Sequence, residues 1–287
     1  MSMGQVLDMR RTEPHVEPLT GLTPWEVCQR LADQKHLLFL DSAQRSELGR
    51  YSYVSADPPH VITSQRGWIS VNGRFEAIAD PLMALADRLA DFTCEPIDEL
   101  PPFQGGAAGV FGYELCHHIE VLPRPQHDDF GMPDLAVGIY DWVIAFDHMT
   151  EQAWLISTGY PENDPRQRDD RARQRADEVK RWLDRRAPIV SRCSVDPIAI
   201  ETPQFPADGH PGLTSNFAKQ QYLDTIARAI EYIHAGDCFQ VNIAQRLMTP
   251  ARLAPLDLYA RLRELSQRHG DRFTPDTGWH ELIKQEG

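Results

Sequence analysis

The sequence predicts an α+β protein in which antiparallel β-sheets are flanked by helices. Three observations lead to this prediction. Several short stretches alternate apolar and polar residues, one Asn-Gly pair marks a hairpin, and helical stretches do not follow the strands in a regular βαβ rhythm. An irregular order of this kind is typical of antiparallel sheets, and 287 residues suffice for one large domain or two ordinary ones.

The first elements follow from local signals. Residues 24–34 have helical apolar spacing, with Thr23 as N-cap and proline at the first helical position. The apolar run 37–41 predicts a buried strand, and the alternation in 50–56 predicts a half-buried one. Asn72-Gly73 suits a type I′ turn between two alternating strands, so a hairpin is predicted there.

The elements up to residue 186 continue this mixture. Residues 81–92 predict a helix, because a proline start is followed by leucines on one stripe. Stretches 105–115 and 134–158 predict further strands, the last two joined by a polar turn. Residues 164–186 predict a charged helix whose narrow apolar stripe consists of Ala172, Ala176, Val179 and Leu183. The first predicted domain therefore covers residues 20–186.

A proline-rich segment separates this domain from a second one. Residues 187–214 have no apolar period and are predicted to be a linker. In the second unit, 215–266, a helix is predicted to begin at a cap formed by Ser215 or Asn216 and to end at Gly236. The apolar face of this helix consists of Tyr222, Ile226, Ile230 and Ile233. After the helix, a strand is predicted from the alternation of Phe239, Val241 and Ile243.

Charge and composition exclude several classes of partner. The formal net charge of −13 opposes binding to phosphate backbones and to anionic lipid surfaces, so neither nucleic acid nor a membrane is an expected partner. The basic residues of 164–186 are interleaved with acids, which indicates a solvated face with ion pairs. Five scattered cysteines and the lack of a signal peptide or long apolar run predict a soluble, cytoplasmic protein.

No stretch contains a complete catalytic motif. The glycines at 105, 106, 109 and 112 lack the Gly-Lys-Ser/Thr ending of a P-loop, so close backbone packing or a bulge is the favoured interpretation. His117-His118 does not match a zinc-binding spacing, and no serine lies in a G-x-S-x-G motif. We assign no catalytic or metal-ligating residue from the sequence.

The segment 37–58 mixes apolar and polar residues in an unusual way. A strand ending in Asp41-Ser42 and a second strand beginning after Gly49-Arg50 bring a carboxylate, a hydroxyl and a guanidinium group to one sheet edge. An amino acid needs an acceptor for its ammonium group and donors for its carboxylate, and Asp41, Ser42 and Arg50 offer both. The alternative is an internal ion pair between Asp41 and Arg50 that only fixes the hairpin.

Four stretches together resemble a known family. In this order, "FLDSAQRSELGRYSYVSADP", "GGAAGVFGYELCHHIEVLP", "DLAVGIYDWVIAFDH" and "YIHAGDCFQVNIAQRL" are similar to component I of aminodeoxychorismate synthase and of anthranilate synthase. The resemblance implies a two-layer antiparallel α+β architecture and chorismate as the substrate. It also implies a glutamine amidotransferase partner, component II, that delivers ammonia.

The resemblance also implies a tryptophan-binding pocket. Position by position, its residues would be Asp41, Ser42, Leu48, Gly49, Arg50 and Tyr51. Asp41 stands where anthranilate synthases commonly have glutamate, and Asn242 resembles the aminodeoxychorismate type. Both residues favour the enzyme that makes the precursor of 4-aminobenzoate for folate.

The chain departs from the family towards its C-terminus. Residues 215–266 correspond only to the start of the chorismate-binding domain, and 267–287 are unlike the family and form an atypical tail. The family's Mg²⁺-binding glutamates have no counterpart, so the resemblance implies Mg²⁺ for the family but no ligand for it in this chain. We therefore expect a truncated chain without chorismate-aminating activity of its own. The alternatives are anthranilate synthase component I and a non-catalytic remnant that binds an amino acid or a partner.

Overall fold

The computed structural model describes residues 13–44, 46–76, 80–92, 94–186 and 199–269, with side chains as far as residue 265. The chain forms two compact units, one within residues 1–123 and 132–190 and one within 124–131 and 191–287. Parts of the predicted linker (187–198) and of the predicted tail (270–287) lie outside the described residues. The domain boundaries given above stay a prediction.

Strands and helices are mixed irregularly along the first unit. Its strands are β1 (His15–Pro18), β2 (Leu38–Leu40), β3 (Tyr51–Ser55), β4 (His60–Gln65), β5 (Trp68–Val71), β6 (Arg74–Phe75), β7 (Gly106–Phe111), β8 (Leu135–Tyr140), β9 (Trp142–Asp147) and β10 (Gln152–Ser157). Its helices are α1 (Pro24–Arg30), α2 (Pro81–Ala90) and α3 (Pro165–Leu183), with a 3₁₀ helix at Tyr113–His118.

The strands form two five-stranded sheets. The first has the order β1-β10-β9-β3-β2 and the second β6-β5-β4-β8-β7, and all the pairings are antiparallel. The predicted α+β class with antiparallel sheets and flanking helices is therefore confirmed.

Local signals fix several of these elements as predicted. The hydroxyl of Thr23 accepts the Glu26 amide, and the Glu26 carboxylate accepts the Thr23 amide, so a capping box begins α1. Asn72 and Gly73 have φ angles of 51° and 75° and connect β5 to β6 directly, as a type I′ turn requires. The Asp80 carboxylate caps α2, whose leucines pack against the second sheet.

Within the described residues of the first unit, the chain passes between the two sheets at two points. One connection joins β3 to β4 and contains Asp57, and the other consists of Asp141 between β8 and β9. Strand β3 pairs with β9 in the first sheet, and β4 pairs with β8 in the second. Both connections therefore run from one of these strand pairs to the other.

The prediction of a half-buried strand at 50–56 is wrong in its burial. Four consecutive residues of β3 are buried, because β3 lies between β9 and β2 inside the first sheet. Val54 is fully buried, and Tyr53 packs on the other side with a separate apolar cluster. Strand β3 is therefore buried on both faces although its sequence alternates, because the serines between its apolar residues are buried as well.

The glycine-rich strand β7 packs closely against β8, as the sequence indicates. A Cβ atom at Gly109 would lie 2.2 Å from the carbonyl oxygen of Ala136, and one at Gly112 would lie 2.7 Å from that of Pro133. Backbone approaches of this kind leave no room for a side chain.

Helix α3 has the predicted apolar stripe but not a uniformly solvated charged face. Ala172, Ala176, Val179 and Leu183 are buried, which confirms the stripe. The charged residues Arg168 and Arg175 are also buried. Sequence spacing alone predicts that the arginines are exposed, whereas here Arg175 is buried beside the fully buried carboxylate of Asp141 and also binds the partly exposed Asp57.

The second unit contains β11 (Phe205–Pro206), β12 (Thr214–Ser215), α4 (Lys219–Ala235), β13 (Leu247–Met248) and α5 (Pro255–His269). Strands β11, β12 and β13 form a small antiparallel sheet, so β11 lies within the segment predicted to be a linker. Gly236 ends α4 with a φ of 81°, as predicted.

Two predictions in this unit are wrong. The N-cap of α4 is Ala218, because Asn216 instead accepts the Arg246 amide and the Ser215 hydroxyl accepts the Phe217 amide. The predicted strand 239–243 is not formed, and Phe239 is fully exposed. Apolar alternation gives a segment the capacity to pair, but a strand also needs a neighbour with free backbone groups.

Asp129 joins the segment 124–131 to the rest of the second unit. Its carboxylate accepts hydrogen bonds from the Thr202 hydroxyl at 2.6 Å, from the Thr202 and Glu201 amides, and from the Arg246 guanidinium. These donors, led by the Thr202 hydroxyl, hold the pKa of Asp129 far below its ordinary value.

Among the described residues, no helix has the length and apolar content needed to span a bilayer.

Candidate functional site

The predicted site lies where β2 and β3 pair at the edge of the first sheet. Leu40 faces Tyr53 across the pair, so the register continues to place Asp41 beside Ser52 and Ser42 beside Tyr51. The Ser42 hydroxyl donates to the Tyr51 carbonyl at 2.6 Å, which fixes its position at the strand end. Asp41 and Ser42 therefore lie at the sheet edge, next to the first residues of β3.

Ser52 lies at the centre of this group and is fully buried. Its Oγ accepts the Ser42 amide at 2.9 Å and lies 3.4 Å from Asp41 Oδ1. The same Oγ lies 2.8 Å from Nε2 of His148, the residue that follows β9. One hydroxyl thus connects the carboxylate of Asp41 to an imidazole.

The interpretation of Asp41 and Arg50 as an ion pair is wrong, because Arg50 binds Asp147. Its Nη2 donates to Asp147 Oδ2 at 2.6 Å, and its Nε lies 3.1 and 3.2 Å from the two carboxylate oxygens. Pairing of β3 with β9 places Tyr51 opposite Asp147, so the residue before Tyr51 reaches this carboxylate. Arg50 lowers the pKa of Asp147 to about 2, and the amides of Met149 and Thr150 contribute.

Of the other three predicted residues, Leu48 and Gly49 lie in the turn before β3, and Tyr51 is the first residue of β3. Gly49 is sterically required, since a Cβ there would lie 2.2 Å from the Gln44 carbonyl oxygen. The guanidinium of Arg50 lies 4.8 Å from the centre of the Tyr51 ring, a cation–π contact. Leu48 is fully exposed. Their role in binding a ligand stays a prediction.

We define the edge site as Asp41, Ser42, Arg50, Ser52, Asp147 and His148. It offers a carboxylate as acceptor and the Nη1 group of Arg50 as donor, because Asp147 engages only Nε and Nη2. Arg50 is nearly half exposed, so a ligand in solvent can reach it. A carboxylate acceptor and a guanidinium donor on one edge match the two charged groups of an amino acid.

Sequence reasoning missed three members of the edge site. Asp147 and His148 lie almost 100 residues from Arg50 and Ser52 along the chain, and strand pairing alone brings them together. The sequence signal for them was the polar pair Asp147-His148 at the end of an apolar strand. The pair Asp41-Ser42 has the same position at the end of its strand.

The Mg²⁺ that the family resemblance implies stays an expectation for the family, without ligands assigned among the described residues. Within this part of the chain, no group of three or more His, Cys, Asp or Glu side chains could hold a metal ion. His117 instead contacts Glu114 at 2.8 Å, and His118 lies 3.7 Å from Asp134. We therefore derive no chemical step through a metal from these residues.

Replacement of Asp147 by asparagine is expected to lower the free energy of unfolding by about 1–3 kcal/mol at pH 7, because a charged hydrogen-bond network is lost. Since the folded-state pKa of Asp147 is depressed from 3.8 to about 2, this contribution is present above pH 4 and is lost as the pH falls towards 2. Urea unfolding of both proteins measures it. Asp169→Asn on the exposed side of α3 is the control, and equal losses in the two variants would contradict the prediction.

Comparison with known proteins shows the family. The sequence model of the chorismate binding enzyme family matches residues 36–275. The chain is 40% identical to anthranilate synthase component 1 of Streptomyces coelicolor over 185 residues, 64% of this chain and 35% of that protein. It is 32% identical to the same enzyme of Thermus thermophilus over 248 residues, 85% of this chain and 49% of that protein.

Further relatives carry a second enzyme name. Aminodeoxychorismate synthase component 1 of Escherichia coli is 32% identical over 204 residues, 64% of this chain and 38% of that protein. The fold resembles that of anthranilate synthase component I from Streptococcus pneumoniae, with a TM-score of 0.55, 21% identity, and coverage of 80% of this chain and 48% of that one. The chain spans about half or less of the length of these relatives. Because the family model matches most of its length, the chain belongs to the chorismate binding enzyme family.

Proposed function

We propose that the chain is part of component I of an aminodeoxychorismate synthase, which converts chorismate and ammonia into 4-amino-4-deoxychorismate, and that these 287 residues alone do not aminate chorismate. The match of the chorismate binding enzyme family to residues 36–275 carries this proposal, and the relatives from Escherichia coli and Salmonella typhimurium bear that name. A glutamine amidotransferase, component II, would supply the ammonia. Asp41 and Asn242, which differ from the residues typical of anthranilate synthases, favour this product.

A second candidate is anthranilate synthase component I. The relative from Streptomyces coelicolor, at 40% identity, and that from Thermus thermophilus favour it. Both candidates aminate chorismate, so they differ in product and not in substrate class.

A growth experiment separates the two candidates. In-frame deletion of the coding segment for residues 13–265 is expected to create a growth requirement that 4-aminobenzoate relieves. Relief by anthranilate or tryptophan alone would overturn the first candidate in favour of the second. Normal growth without either supplement would contradict both and support a non-catalytic remnant.

We further propose that the edge site binds an aromatic amino acid such as tryptophan. Asp41 would accept the ammonium group and Arg50 Nη1 would donate to the carboxylate, while Asp147 holds the guanidinium in place. The exposed Leu48 and the ring of Tyr51 offer apolar surface next to these groups.

Calorimetric titration of the purified chain with L-tryptophan is expected to give weak binding, with a dissociation constant on the order of 0.1–1 mM. Arg50→Ala should weaken binding at least tenfold, because the donor to the ligand carboxylate is lost. Arg173→Ala, which removes an exposed guanidinium on α3, should leave it unchanged. Absence of heat at millimolar tryptophan would contradict the proposed site.

A further inference from the structure

The Ser52 hydroxyl has two acceptors for a single proton. Its Oγ lies 2.8 Å from His148 Nε2 and 3.4 Å from Asp41 Oδ1, and it already accepts the Ser42 amide. A serine hydroxyl donates one hydrogen bond only. Ser52 can therefore donate to His148 or to Asp41, but not fully to both.

The presence or absence of a proton on Nε2 of His148 decides between these two arrangements. When Nε2 carries no proton, it accepts the Ser52 hydroxyl, and Asp41 does not receive that donor. When the imidazole is protonated, Nε2 becomes a donor to Ser52 Oγ, and the hydroxyl proton turns to Asp41. Protonation thus moves one hydrogen bond onto the carboxylate and places a positive charge behind Ser52.

We propose that His148 is a positioning residue that controls, through Ser52, how well Asp41 accepts the ammonium group of an amino acid. This inference rests on the amino-acid site proposed above. Neutral His148 with its proton on Nδ1 accepts the Ser52 hydroxyl and so leaves the Asp41 carboxylate a better acceptor, whereas protonated His148 both engages that carboxylate through Ser52 and repels a ligand cation. Binding of an amino acid at the edge site is therefore coupled to the charge of His148.

The charged groups around His148 come from three strands. Among the described residues, the carboxylate of Asp147 precedes His148 at the end of β9, and the carboxylate of Asp41 follows β2 beyond Ser52. Arg50, which precedes β3, binds Asp147 through its guanidinium, and its backbone carbonyl accepts the His148 amide at 2.8 Å. Arg50 keeps Asp147 ionised, because it lowers the pKa of that carboxyl group to about 2. Imidazole is the side chain that ordinarily changes charge between pH 5 and 8.

The coupling is tested by tryptophan binding measured at several pH values. In the unmodified protein, affinity should rise at least threefold from pH 5.5 to pH 8. His148→Gln should abolish this rise, whereas the control His118→Gln, next to Asp134, should keep it. An unchanged rise in His148→Gln, or pH-independent binding in the unmodified protein, would overturn the proposal.

A second measurement needs no ligand and separates the two proposals. Nuclear magnetic resonance titration of the His148 ring should show a shifted midpoint in Ser52→Ala and in Asp41→Asn. A shift in these variants without tryptophan binding at any pH would overturn the amino-acid site and retain the coupling of the side chains. Unshifted midpoints in both variants would overturn the coupling even where tryptophan binds. Ser52→Cys, which keeps the size of the side chain and weakens the donor, replaces Ser52→Ala where that variant does not fold.

Discussion

Replacement of Arg175 by methionine is expected to lower the free energy of unfolding by about 3–5 kcal/mol at pH 7.5, because it leaves the fully buried carboxylate of Asp141 without its cation and removes the hydrogen bonds to Asp57 and Glu178. Arg175 lies on α3 and is only 4% exposed, while Asp141 is fully buried. Denaturant unfolding monitored by tryptophan fluorescence measures this loss.

The size of the effect follows from the number of groups that Arg175 joins. Its guanidinium donates to the carbonyl and the carboxylate of Asp57 and to Glu178 at 2.7 Å, and its Nε lies 3.3 Å from Asp141 Oδ2. Asp57 and Asp141 belong to the two connections between the sheets. One side chain therefore ties α3 to both points at which the chain passes from sheet to sheet.

The matched control is Arg173→Met on the same helix. Arg173 forms an ion pair with Asp169 in which both side chains are more than half exposed, so its loss should cost less than about 1 kcal/mol. The two variants remove the same charge and add the same side chain. Similar losses in both would show that burial of Arg175 does not contribute, contrary to the prediction.

The elements that the sequence predicts correctly depend on neighbours along the chain. The cap at Thr23 and the turn at Asn72-Gly73 are formed by residues within three positions of one another, and both have the predicted geometry. The strand predicted at 239–243 depends instead on a distant partner and is not formed. Alternation reports the character of a segment, but pairing depends on the rest of the fold.

The same distinction applies to the charged groups of the candidate site. Asp41 and Ser42 lie beside β3 because strands next to each other in sequence pair. Arg50 reaches Asp147 across 97 residues, and Arg175 reaches Asp57 across 118. Several carboxylates were available to each arginine, and only the register of β3 with β9 and the packing of α3 select the partner. The spacing of residues along the sequence determines neither the register of β3 with β9 nor the packing of α3.

Asp141→Asn is expected to change how stability depends on pH. Burial raises the pKa of the Asp141 carboxyl group from 3.8 to about 6, although Arg175 and Arg171 lower it in part. The folded protein therefore binds a proton more tightly than the unfolded chain does, and stability from this group falls as the pH rises from about 4 to above 6. Over the full range, the cost of ionising Asp141 in the folded state is about 3 kcal/mol.

Between pH 5 and pH 7.5, the same linkage predicts a change of about 1.4 kcal/mol. The free energy of unfolding of the unmodified protein minus that of Asp141→Asn should decrease by this amount, whatever the variant does to stability at a single pH. The corresponding difference for Asp169→Asn, whose carboxylate is exposed, should stay nearly constant. A constant difference for Asp141→Asn would mean that Arg175 keeps the buried carboxylate ionised throughout, and that the pair stabilises the sheet connections at neutral pH instead of costing free energy there.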